Sequence, residues 1–198
     1  MDSPWSDELR FLLRPIATAR AVGAREPLRR EIFARVLRHL ILIGVFVAFT
    51  TAGRLAPFHV ASTVVFWSFA PALQATAVAF ATLVVSGRRA IRPALDLYFV
   101  GHAPWLLFGL GLAAVTVIAP DPSGLLLALL ARGVLPILLL LVIVLGVIST
   151  TIAFVFGLRL GARRGAVATL LFYAIEIAAL AIWYLAVGQV QTLFVGGA

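Results

Sequence analysis

Five apolar runs, each about as long as a bilayer-spanning helix, alternate with short clusters of arginine, and this pattern constrains the fold more than any other feature. A spanning helix needs about 20 mostly apolar residues. The runs fall at 37–53 ("LRHLILIGVFVAFTTAG"), 62–86, 96–119, 134–158 and 165–187 ("GAVATLLFYAIEIAALAIWYLAV"). The piece "SGLLLALLA" (123–131) is too short to span; it reads as an interfacial half-helix or as an extension of the fourth run. A soluble domain has about a quarter of its residues charged. Here 12% are charged and the mean hydropathy is +1.10. The predicted class is therefore all-α, a polytopic membrane protein with five transmembrane helices and an N-terminal cytoplasmic amphipathic arm. The arm covers 1–36 and the transmembrane domain 37–198.

Arginine sets the predicted orientation. The chain has no lysine, and its 16 basic residues are all arginine. Residues 1–38 carry eight of them, the 86–95 loop carries Arg88, Arg89 and Arg92, and the 159–164 loop carries Arg159, Arg163 and Arg164. The opposite side holds Arg54 and Arg132. Cytoplasmic loops concentrate positive charge, so the N-terminus is expected in the cytoplasm and the C-terminus outside. Arginines at the ends of apolar runs read as topology signals, and no nucleic-acid partner is expected. Arginine without lysine, with abundant alanine, suggests a GC-rich genome; a bacterial or archaeal cytoplasmic membrane is the expected location. The first apolar run begins beyond the usual leader region, so a cleavable signal peptide is not expected.

The arm reads as membrane-hugging. Ser3 is placed as an N-cap and Pro4 at the first helical position, and Trp5, Leu9, Leu12 and Leu13 share a face. Asp7 and Glu8 in the first turn, with Arg10 and Arg14 in the last, complement the helix dipole. Pro15 ends or kinks this helix. A second helix is predicted from Pro27, with Leu28, Ile32 and Val36 on one stripe and Arg29, Arg30, Arg35 and Arg38 around it. Such faces suit an anionic lipid surface, so the lipid-facing candidates are Trp5, Arg10, Arg14, Arg29 and Arg30. Alternatively, the same helices simply cap the bundle.

Polar residues at membrane depth are the functional candidates. Counting inward from the arginine-rich edge at 1.5 Å per residue puts Glu176 roughly 16 Å deep, Thr150 and Thr151 roughly 13 Å, Gln74 roughly 18 Å and His102 roughly 9 Å. Asp96 lies at the edge of the third run. Three readings of Glu176 stand open: a protonated acid bonded to a threonine or glutamine between helices, a partner for a group on another protein, or a proton or cation relay. His102 is a candidate haem or pigment ligand, with His39 the only second histidine on that side. Ser149, Ala153, Gly157 and Gly161 form a small-xxx-small packing ladder, repeated by Ala174 and Ala178. Pro71, Pro104 and Pro136 predict kinks. Trp105, Trp183 and Tyr184 suit interface anchors.

The chain has no cysteine, which excludes disulfides, thiolate metal sites and a thiol nucleophile. Nucleotide-binding, zinc-protease and nucleophile-elbow motifs are missing. A catalytic role, a cofactor and a metal are therefore not expected.

Three stretches, "FLLRPIATAR" (Pro15, Thr18, Arg20), "ALDLYFVGHAPWLLFGL" (Pro104) and "FGLRLGARRGAVATLL", resemble the bacterial and archaeal branch of the Yip1 family of five-span membrane proteins. They resemble its P-x-x-T-x-R opening, the approach to its third span and its last short basic turn. The "DLY" at 96–98 echoes a motif that eukaryotic relatives carry in the cytosolic arm, so its role does not transfer. The resemblance implies a non-catalytic protein, since eukaryotic members are trafficking adaptors that bind small GTPases and one another. The predicted function is a membrane scaffold or accessory subunit. It would contact the bilayer and other membrane proteins, or its own copies, through small-residue faces. The alternatives are a small proton-coupled transporter centred on Glu176 and a cofactor-holding subunit using His102.

Overall fold

The computed structural model describes residues 6–52, 57–118 and 122–195, which are helical throughout apart from short turns. The helices are α1 (Ser6–Leu13), α2 (Pro15–Gly23), α3 (Arg29–Ala52), α4 (Pro57–Trp67), α5 (Phe69–Ser86), α6 (Ile91–Val100), α7 (Ala103–Ile118), α8 (Pro122–Ala131), α9 (Val134–Ile152) and α10 (Gly161–Val195). A 3₁₀ turn at Arg88–Ala90 precedes α6, and a π-helical turn at Ala153–Gly157 ends α9. Ser3, Pro4, Trp5 and Arg54 lie outside the described residues.

Among the described residues, four stretches are long and apolar enough to cross a membrane: Val60–Ser86, Arg88–Ala114, Val134–Gly157 and Gly161–Trp183. Residues 37–52 of the first predicted run lie within α3, which continues without a break through the 36/37 boundary drawn from sequence. Its first turns carry Arg29, Arg30, Glu31, Arg35, Arg38 and His39, which dilute its apolar character. Glu31 accepts a hydrogen bond from the Leu28 N–H (2.9 Å) at the N-terminus of α3, one half of a capping box.

Pro71 and Pro104 fall just after breaks that interrupt the candidate spans Val60–Ser86 and Arg88–Ala114, whereas Pro136 sits in the first turn of its span. Pro71 follows the α4–α5 break at Ser68, Pro104 follows the turn at Gly101–His102, and Pro136 follows Gly133. A proline ring is tolerated in the first turn because those N–H groups have no intrahelical acceptor. Gly133 adopts a left-handed conformation (φ 72°), which separates α8 from α9 and settles the 123–131 piece as a helix of its own.

The arm is built into the bundle. Pro15 both stops α1 and opens α2, a helix the sequence reading left unassigned. One core combines Phe11 of α1, Ala19 and Val22 of α2, Leu97 and Val100 of α6, and Ala153 of the π turn. A second core joins Ala77, Val78 and Ala81 of α5, Tyr98 and Phe99 of α6, Phe154, and Ala168 and Phe172 of α10. The arm therefore sits at the end that also carries the 86–92 and 158–164 turns.

The leucine face predicted for α1 points outward: Leu9 is 55% and Leu13 83% exposed, while Glu8 and Phe11 are buried. The packing ladder is also redistributed. Ser149 and Ala153 are buried, and Gly157 is pressed between α2 and α6, facing Ala19 and Leu97. Gly161 takes a positive φ (74°) with open space around it and serves the turn into α10. The ladder thus ends at Gly157 and serves the docked arm.

Gly23 has no room for a side chain, because a Cβ there would collide with the Gly157 carbonyl. Gly23→Ala is expected to cost about 1–3 kcal/mol through overpacking and to lower the thermal midpoint in detergent. An unchanged midpoint would show that the close approach of α2 to the π turn is not needed.

Candidate functional site

The arm, α3 and α6 meet around one guanidinium. Arg35 is 8% exposed. Its Nε lies 3.1 Å from Asp96 Oδ1, its Nη1 3.3 Å from Glu8 Oε1, and its Nη2 3.3 Å from Asp7 Oδ2. Arg25, from the α2–α3 link, contacts Asp7 Oδ2 at 2.7 Å, and Arg38 contacts Glu8 Oε1 at 3.2 Å. Glu8 and Asp96 are each 3% exposed. Three carboxylates and three guanidiniums close the network with no net charge. Helix geometry explains the placement: Glu8 and Phe11 are three residues apart on the inward face of α1, and Arg35 and Arg38 are three apart on α3.

Protonation follows from burial and partners. For Asp7, burial pushes the carboxyl up, but Arg25 and Arg35 outweigh it and hold it below its ordinary value. For Glu8, burial dominates and raises the carboxyl despite Arg35 and Arg38. Burial lowers the Arg25 pKa, but Asp7, Asp96 and Glu31 together raise it more, so it rises. An open groove of about 780 Å³ borders the network, lined by charged Asp7, Arg25, Arg35, Arg38 and Asp96 and by apolar Leu37.

Directly beneath lies an aromatic cluster. His39 sits one turn after Arg35, and its Nδ1–H donates to the Arg35 carbonyl at 2.7 Å. The ring of His102 is 5.7 Å from His39 and 4.7 Å from Tyr98, centre to centre. Phe99 packs against both histidines. His102, the candidate haem or pigment ligand, and His39, the possible second histidine, do meet, packed edge to face against each other (81°) with Tyr98 and Phe99 beside them. Among the described residues no group of three His, Asp or Glu side chains converges as metal ligands would.

Deeper in the bundle are two polar pairs. Gln74 Nε2 of α5 donates to Glu176 Oε1 of α10 at 3.1 Å. Thr150 Oγ1 lies 3.3 Å from the Tyr173 hydroxyl. Thr151 instead donates to the Val147 carbonyl of its own helix (2.8 Å). Gln74 and Glu176 thus meet between helices, and Thr150 meets Tyr173, three residues before Glu176 on α10, whereas Thr151 takes no part in a pair between helices. Asp96 joins the ionic network above them. Arg10, Arg14, Arg29 and Arg30 are exposed.

Sequence reasoning missed Asp7, Glu8, Arg25, Arg35, Arg38, Tyr98 and Tyr173 as site residues. Asp7 and Glu8 look like ordinary first-turn acids. Tyr173 did carry a signal: it precedes Glu176 by three residues, on the same face at nearly the same depth.

No protein-family model matches the chain, and no match was found among the curated proteins or the solved structures.

Arg35→Gln leaves Glu8, Asp7 and Asp96 without their shared cation. It is expected to cost about 3–5 kcal/mol, the scale of breaking a buried ion pair, seen as a fall in thermal midpoint. A loss no larger than that of a surface arginine such as Arg29→Gln would contradict the hub.

The pH dependence follows from the two acids on α1. The lowered Asp7 stabilises docking above the ordinary carboxylate pKa, and that stability disappears as pH falls through its folded value. The raised Glu8 works with the opposite sign, favouring the docked state below its ordinary pKa and losing that benefit as pH rises through its folded value. Pulse-labelled amide exchange should therefore show α1 protected at mildly acidic pH and exposed once Asp7 is protonated. Protection that persists after Asp7 is protonated would overturn this assignment.

Proposed function

We propose that the chain is a non-catalytic membrane scaffold or accessory subunit. Its five spans would place the arginine-rich end in the cytoplasm of a bacterial or archaeal cell and the C-terminus outside. In this reading α3 is the first span, running from the ionic network into the bilayer beside α4 and α7. The exposed Arg88, Arg89, Arg92, Arg159, Arg163 and Arg164 gather at the arm's end, and the positive-inside tendency favours that end in the cytoplasm.

The observation that carries the reading is how the polar groups are used. Glu176 is bonded to Gln74 and Thr150 to Tyr173 between helices, and the arm's acids fasten the arm. Inter-helix bonds of this kind hold a bundle in one arrangement. The buried ladder leaves partners to the outward faces of α9 and α10, where Leu140, Ile177, Ala174 and Ala178 are exposed. The resemblance to the Yip1 family fits the same picture of an adaptor without catalytic residues.

Extraction from native membranes in mild detergent, followed by particle mass and identification of co-purifying chains, tests the proposal. Stoichiometric partner membrane proteins are expected. A partner-free particle would overturn the accessory-subunit reading. Glu176→Gln keeps a hydrogen-bonding group opposite Gln74, so the variant should assemble into a particle of unchanged mass. Its failure to assemble would mean that the carboxyl itself is required.

A further inference from the structure

The groove beside the ionic network has two unlike ends. Its charged end lies between the α2–α3 link and the first turns of α3, where Arg25, Glu26, Glu31 and Arg38 line it. The other end follows α3. Ala34, Leu37 and Ile41 line it at intervals of three and four residues, one face of the helix over roughly 10 Å. Leu37 is 41% and Ile41 46% exposed, and from Ile41 onward α3 carries no further charged residue. The charges at the groove do not cancel. Within the network Asp7, Glu8 and Asp96 offset Arg25, Arg35 and Arg38. Glu26 and Glu31 are left over, and neither has an ion pair among the described residues. Glu31 commits Oε2 to the Leu28 N–H. Arg29 and Arg30, close by in sequence, do not line the groove. Arg25 gives Nη2 to Asp7, but its side chain is 51% exposed, and a guanidinium has five N–H donors.

We infer that this groove is a binding site for one phospholipid with a primary-amine headgroup. The ammonium sits between Glu26 and Glu31, Arg25 holds the phosphate, and the acyl chains run along Leu37 and Ile41 into the bilayer. Three features select this class of ligand. A charged end that continues onto an apolar wall suits an amphiphile, whereas a soluble ion uses the charged end alone. The two surplus carboxylates repel a headgroup that carries only negative charge. A primary ammonium has three N–H donors, as a lysine head does, and two carboxylates can share them; a trimethylated amine has none to give. The planar guanidinium of Arg25 matches the oxygens of a phosphate. A groove of about 780 Å³ is of ligand-site size and has room for the headgroup and the first part of its chains. The bound lipid would bridge the α2–α3 link and α3, beside the ion pairs that fasten the arm.

The inference rests on the reading of α3 as the first span, not on the scaffold role. The chain has no cysteine, so Ile41→Cys provides a unique position for a spin label. Collision of the label with dissolved oxygen rather than with a water-soluble nickel chelate reports on α3 in the bilayer independently of any lipid preference. The full chain, washed free of lipid in detergent, is then offered phosphatidylethanolamine, phosphatidylcholine and phosphatidylglycerol with identical acyl chains, and bound lipid is counted by native mass spectrometry. One phosphatidylethanolamine should be retained about tenfold more tightly than either of the others, the scale of a hydrogen bond to a charged group. Glu31→Gln keeps an acceptor for the helix cap; combined with Glu26→Gln it should abolish the preference, with the thermal midpoint confirming that the double variant folds. Phosphoethanolamine, the headgroup without chains, should not displace the lipid at equal concentration. Equal retention of the three lipids, a preference unchanged in the double variant, or displacement by phosphoethanolamine would each overturn the lipid site, and a label found in the bilayer would leave the span standing. A label found in water would overturn the span itself and this site with it.

Discussion

One arginine organises the described end of this molecule. Arg35 is buried, yet it is shared by carboxylates from α1 and α6. A buried charge is tolerated only when its partners are close and its donors are used. That requirement fixes three things together. The arm must lie against the bundle, because Glu8 and Asp7 belong to it. The α6 start must face α3, because Asp96 does. His39 must then face inward, because the Arg35 carbonyl holds its ring. The close passage of α2 over the π turn at Gly157 follows from the same docking.

The sequence made the architecture legible where the signal is long and repetitive. Four of the five apolar runs overlap helices that, among the described residues, are long and apolar enough to cross a membrane, and Gln74 and Glu176, both singled out as polar residues within spans, are hydrogen-bonded. Short-range signals were less reliable. The Leu9–Leu13 face of α1, read as membrane-hugging or as a cap on the bundle, is exposed, while the opposite face turns Glu8 and Phe11 inward, a placement the leucine spacing did not reveal. In the arm the α2 segment "PIATARAVG" carries no strong apolar period, and its helix is held by packing on Leu97 and Gly157. The ladder of Ser149, Ala153 and Gly157 was recognisable as a close-packing face, but spacing alone does not say what packs on it. Pairs such as Arg35 with Asp96 join residues 61 positions apart in the chain, a relation no local pattern encodes.

The polar interior has two levels with different chemistry. The upper level is ionic, charge-balanced and open to a groove. The lower level, Gln74 with Glu176 and Thr150 with Tyr173, is a pair of side-chain hydrogen bonds within apolar surroundings. Between them lie His39, His102 and Tyr98, whose rings pack against one another and against Phe99.

The central claim is that the arm is an integral part of the bundle. Amide hydrogen exchange of the full chain in its native membrane tests it most directly. If the account is right, the amides of Phe11 through Val22 exchange as slowly as those of Leu97 and Phe99. Exchange of Phe11 through Val22 at the rate of an unstructured peptide, with α6 still protected, would contradict it.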